Sequence, residues 1–270
     1  MTGAPHVVAA FVRRDWQEQT SYRFPFVLDL FTAAFSLTLF FFIGQLFDGA
    51  LTPGDPDLAE GYFTYVLFGY AVFGLGDAVL GSLPDRIRGE QTEGTLEALM
   101  ATSSPAPLLV LAGGAYDVLY AAARAAILIV AGVLLFGASV DATPASFAAA
   151  VVASACVVLF FAALGILAAA FTMVFKQAST VAGMLGAGVA LLSGVYFPVG
   201  ELPPFLRAIG ELLPLTWALD VVRAGTLRAE VDVVQLALVV VAGLLAIPLA
   251  MPVYLRSIRR AKREGSLVEY

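Results

Sequence analysis

Four ionisable residues stand inside long apolar stretches of this sequence: Asp29, Asp77, Asp117 and Arg124. An ionised side chain in hydrocarbon costs upwards of ~2.5–3.5 kcal/mol, so such groups turn toward protein or water. As a proton relay they would serve an ion- or proton-coupled secondary transporter, although four scattered residues form no recognisable relay. As structural pairs they would join helices. Asp117 and Arg124 stand seven residues apart, two turns along one helical face, and could pair through a neighbouring span. Asp77 and Asp117 could instead lie near the cytoplasmic interface if their spans project beyond the bilayer. Other chemistry is thin. His6 is the single histidine and Cys156 the single cysteine, the latter within an apolar run. That leaves no usual imidazole site, no disulfide framework and no thiolate metal centre. Within the apolar stretches no carboxylates pair at helical spacing, so an intramembrane enzyme is the weakest reading. Catalytic residues: none are expected, and no metal ligands. No G-x-x-x-x-G-K-[ST] loop occurs, so any ATP must be bound by another chain.

The elements that position these residues follow from composition. The chain has 270 residues, 60% hydrophobic and only 13% charged, with a mean hydropathy of +0.89. A chain this size cannot hide so much apolar surface in one water-facing core. The lipid bilayer is its natural solvent. A net charge of −6 argues against nucleic acid as a partner.

Crossing ~30 Å of hydrocarbon takes ~20 apolar residues at 1.5 Å each. Six stretches are read as spans: 24–47, 62–83, 108–136, 145–171, 180–197 and 233–255. Six spans put both termini on one side. Eleven of the fifteen Lys and Arg fall on that side, among them Arg13, Arg14, Arg23, Arg86, Arg88, Lys176 and the cluster from Arg256 to Arg263. The positive-inside rule therefore predicts cytoplasmic termini in a cell (plasma or inner) membrane. The expected fold is an all-α integral membrane protein, a single transmembrane domain over 1–270 without a cleaved signal peptide. Residues 6–23 read as an amphipathic helix in the cytoplasmic headgroup layer, with Val8, Phe11, Val12 and Trp16 at helical spacing.

Two segments are not ordinary loops. Residues 84–104 contain a short stripe of Leu96, Leu99 and Met100, flanked by Glu90, Glu93 and Glu97, with Gly94 and Thr95 at its start and Pro105 and Pro107 beyond. So short a helix is not stable alone, and its stripe invites either a groove in a partner or packing against the bundle. Residues 198–230 are too apolar for a free loop. Pro198, Pro203, Pro204 and Pro214 cut them into pieces too short to cross. They predict re-entrant or interface-lying helices, or a plain extracellular cap. In the fifth span Ala182, Gly186, Ala190 and Gly194 repeat every fourth position, a face for close helix packing within the bundle or at a dimer interface.

Together these segments resemble the membrane subunit of ATP-binding-cassette exporters of the type-2 permease family. One motif stands as Glu90 or Glu93, Gly94-Thr95-Leu96-Glu97 and Pro105, with Thr102-Ser103-Ser104-Pro105 in place of the more usual Thr-Pro. The other stands as Ser193-Gly194-Val-Tyr196-Phe197-Pro198, Leu202-Pro203, Pro214-Leu215-Thr216-Trp217 and Arg223. The resemblance implies two permease chains, expected to be a homodimer, above two ABC ATPase subunits that hold ATP and Mg. It implies that residues 94–100, with Glu90 and Glu93, form a coupling helix seated on the ATPase. It also implies that the segment from Ser193 to Arg223 gates the extracellular side. The cargo it implies is a hydrophobic or amphiphilic drug, lipid or polyketide-like molecule; alternatively, a lipid-linked polysaccharide or teichoic-acid-like polymer.

Overall fold

The computed structural model describes residue 9 and residues 12–17, 23–47, 58, 61–92, 114–175 and 178–264. Among these residues the chain is all helix and turn, without strands. Residues 12–17 form a leader helix. Then follow α1 (Arg23–Phe47), α2 (Tyr62–Thr92), α3 (Ala115–Phe136), α4 (Pro144–Phe175), α5 (Ala178–Leu192), α6 (Pro204–Gly210), α7 (Pro214–Leu227) and α8 (Val233–Glu264).

Local chemistry sets the boundaries. Gly137 takes the left-handed conformation (φ 72°) that only glycine adopts freely, and it lets the Ala138 N–H that follows cap α3 on the Gly132 carbonyl at 3.1 Å. Thr143 and Ser146 exchange side-chain bonds with each other's backbone N–H at the head of α4, a capping box with serine in the acidic position. Pro204 and Pro214 open α6 and α7, where a missing N–H costs nothing.

Among the described residues, five helices are long and apolar enough to cross a bilayer: α1, α2, α3, α4 and α8. They carry the first, second, third, fourth and sixth expected spans. The fifth differs. Helix α5 has 15 residues, or ~22 Å, and stops at Leu192 instead of running to Phe197. Gly194 follows with φ 80°, a backbone that turns the chain away.

Helices α2 and α4 form the centre. Phe73 and Val72 of α2 meet Phe161 and Ala153 of α4, together with Leu215 and Leu219 of α7. Close approach relies on missing side chains. Gly76 lies directly against the Phe161 ring, and Gly243 of α8 against the Cβ and backbone of Cys156 of α4, a buried residue. Helices α1 and α8 are peripheral, with Phe24, Phe31, Phe35, Phe42, Val234 and Leu249 exposed on their outer faces. A surface like that would aggregate in water and suits lipid.

Candidate functional site

The polar side chains of the membrane helices gather along α2, in three groups. At its Tyr62 end α2 meets the turn after α5. Arg223 of α7 is 1% exposed, and its Nη2 donates to the carbonyls of Gly194 at 2.9 Å and Tyr65 at 3.2 Å. Its guanidinium lies 3.4 Å from the centroid of the Tyr65 ring, a cation–π contact. The Tyr65 hydroxyl donates to the same Gly194 carbonyl at 2.8 Å. Gly69, one turn along from Tyr65, completes the knot: a Cβ there would strike the Val195 carbonyl and come within 2.8 Å of Arg223 Nη2. Arg223 has no carboxylate partner among the described residues, and its Nε and the Ser193 Oγ are buried without hydrogen bonds there.

The other residues expected at a gate surround this knot. Thr216 Oγ1 donates to the Gly210 carbonyl at 2.6 Å and Trp217 Nε1 to the Glu211 carbonyl at 2.8 Å, closing the α6–α7 corner. Leu215 and Pro198 are buried, Tyr196, Phe197 and Pro214 half-buried, and Pro203 exposed. Tyr196 also reaches the Phe40 ring of α1, 5.9 Å between centroids.

Toward the other end of α2, Arg86 Nη2 donates to Asp15 Oδ2 at 2.7 Å and to Asp117 Oδ2 at 3.1 Å. One guanidinium thereby clamps the leader helix and the start of α3 onto α2. Asp15 also takes a bond from Arg14 Nε at 3.1 Å. Glu90 stands on the last turns of α2. Glu93, Gly94, Thr95, Leu96, Glu97, Leu99 and Met100 lie outside the described residues.

Between the ends, Asp29 of α1 accepts from Tyr120 Oη at 2.7 Å and faces Arg124 Nε of α3 at 3.1 Å. Arg124 Nη2 in turn approaches Tyr70 Oη of α2 at 3.5 Å. Asp117 and Arg124 therefore do not meet one another; each is charge-paired to a different element. Asp77 borders a cavity of about 520 Å³ between α2 and α5. Of the small-residue face, Ala182, Gly186 and Ala190 are buried within this one chain. Gly186 lies against Asp77 and Leu80 of α2, whereas Gly194 lies beyond the helix end, in the knot. The face packs the bundle.

Tyr65, Gly69, Asp15 and Arg86 act here without having been singled out as site residues. A tyrosine one turn before a glycine, amid Phe63, Val66, Leu67 and Phe68, is the only sequence signal for the first two. Asp15 and Arg86 have none, being 71 residues apart. Among the described residues the arrangement holds no nucleophile–base constellation; it is a long helix bonded near both ends to other elements.

The sequence profile of the ABC-2 type transporter family matches residues 6–227. The chain belongs to that family and is a multi-pass membrane protein of the ABC permease type. No curated protein matched the sequence.

Proposed function

We propose that this ABC-2 family chain is the membrane-spanning permease subunit of an ATP-driven exporter, powered by a separate ATPase. Helix α5 makes the fifth of six crossings, with the apolar turn from Ser193 to Pro198 completing its short span. Both termini then lie in the cytoplasm and the membrane is the cell membrane. Two copies stand over two ATPase subunits that bind ATP and Mg²⁺. Residues 84–104 are the coupling segment and the leader lies beside it. Residues 198–230 form a re-entrant hairpin that gates the outer side. The cargo is a hydrophobic or amphiphilic molecule moved outward by alternating access.

One observation carries the reading: α2 runs for 31 residues, through Pro84, ~46 Å, from the Arg223 knot into the first residues of the coupling segment. Packed helices respond to such a push as rigid bodies by shear or hinge. ATPase closure under the coupling segment would therefore arrive at the hairpin through α2. The test is co-purification of a P-loop ATPase with the permease in mild detergent. Leu96→Asp combined with Met100→Asp should abolish that association and the ATPase stimulation, with the permease still monodisperse. Unchanged docking and stimulation would refute the coupling role.

A further inference from the structure

Of the ionisable residues in the helical bundle's apolar stretches, Asp29 and Asp117 have basic partners and Arg124 has an acidic one. Asp77 makes no hydrogen bond or ion pair among the described residues. The Arg124 guanidinium is held by Asp29. Asp77 stands fifteen residues along α2 from Tyr62, about 22 Å, well within the span. An unpaired carboxylate at that depth is costly unless something completes it. Its side chain is exposed to the cavity between α2 and α5. At about 520 Å³ the cavity falls within the ~300–1,000 Å³ typical of small-molecule sites. Phe73, one turn from Asp77, and Tyr196 give it aromatic walls, and Gly183 and Ala187 of α5 leave the space open. Gly186 makes room for the carboxylate itself, since a Cβ there would come within 2.7 Å of Asp77 Oδ1.

We propose that this cavity binds the cationic group of an amphiphile, with Asp77 as its counter-ion and Phe73 and Tyr196 as the faces that cover it. The inference rests on the exporter reading above and specifies its cargo. A proton would neutralise Asp77 too, but needs neither this volume nor aromatic walls. A hard metal cation would need several oxygen ligands, and the lining is mostly carbon. An organic cation uses everything present: charge from Asp77, ring faces from Phe73 and Tyr196, and apolar contact with α5.

The test is equilibrium binding of tetraphenylphosphonium to the permease in phosphatidylcholine nanodiscs, counted above empty discs, without ATP or any partner subunit. The isosteric anion tetraphenylborate is the control. Phosphonium should bind saturably and the borate should not. Asp77→Asn should weaken phosphonium about tenfold, with Asp77→Glu retaining most of the affinity. Phe73→Leu, which leaves the charge in place, should weaken it about threefold and guards against misfolding of the Asn variant. Phosphonium binding no greater than in empty discs, or unchanged by Asp77→Asn, would overturn the proposal. ATPase docking is not involved, so a failed co-purification with intact phosphonium binding would sink the exporter reading alone, and the reverse pattern this inference alone.

Discussion

Two arginines are joined to α2 near its opposite ends, and they are bonded in opposite ways. Arg223 is enclosed by partners without net charge: two carbonyls and the face of Tyr65. Salt does not screen a contact from which solvent is absent. Arg86 is held by two carboxylates from two different elements, and its side chain is one-quarter exposed. That joint is ionic, reachable by water and separable. The same side chain thus makes a permanent fastening at one end and an adjustable one at the other, and the partners decide which.

The comparison is broken most severely at the buried end. Arg223→Ala should cost about 3 kcal/mol or more, from the cavity and the stripped carbonyl of Gly194, read as a lower unfolding temperature in detergent. Arg223→Met, which refills the volume without charge, should recover more than half of that loss. If the alanine variant melts as the wild type does, the knot is no fixed point. Arg86→Ala should cost less, about 1–2 kcal/mol, yet release the leader to protease and uncouple ATPase stimulation. Its effect should shrink in high salt, and that of Arg223→Ala should not. Tyr65→Phe is the mildest: it removes one hydroxyl bond but keeps the ring under Arg223, costing about 1 kcal/mol. A larger loss from Tyr65→Phe than from Arg86→Ala would invert the assignment of the two ends.

Much of this architecture was legible because the bilayer imposes simple rules on sequence. Apolar runs marked α1, α2, α3, α4 and α8, since length and hydropathy alone decide whether a helix can cross. The prolines marked where α6 and α7 begin. The end of α5 was not legible: Leu192 to Phe197 is as apolar as any span, and what stops the helix is the positive φ of Gly194, locked by Tyr65 and Arg223 from distant segments. Charge pairing escaped for the same reason. Asp117 and Arg124 share a helical face, but Arg86 and Asp29 reach them across the bundle, and sequence spacing carries no record of which helices become neighbours.

Cys156 has a practical corollary. It is the chain's single cysteine, buried on α4 where Gly243 of α8 comes up against its Cβ and backbone. A thiol so enclosed is inert to maleimides and other alkylating reagents. The native polypeptide is therefore blank to thiol labelling, and one cysteine introduced on either rim of α2 would report alone on how that rim travels during a transport cycle.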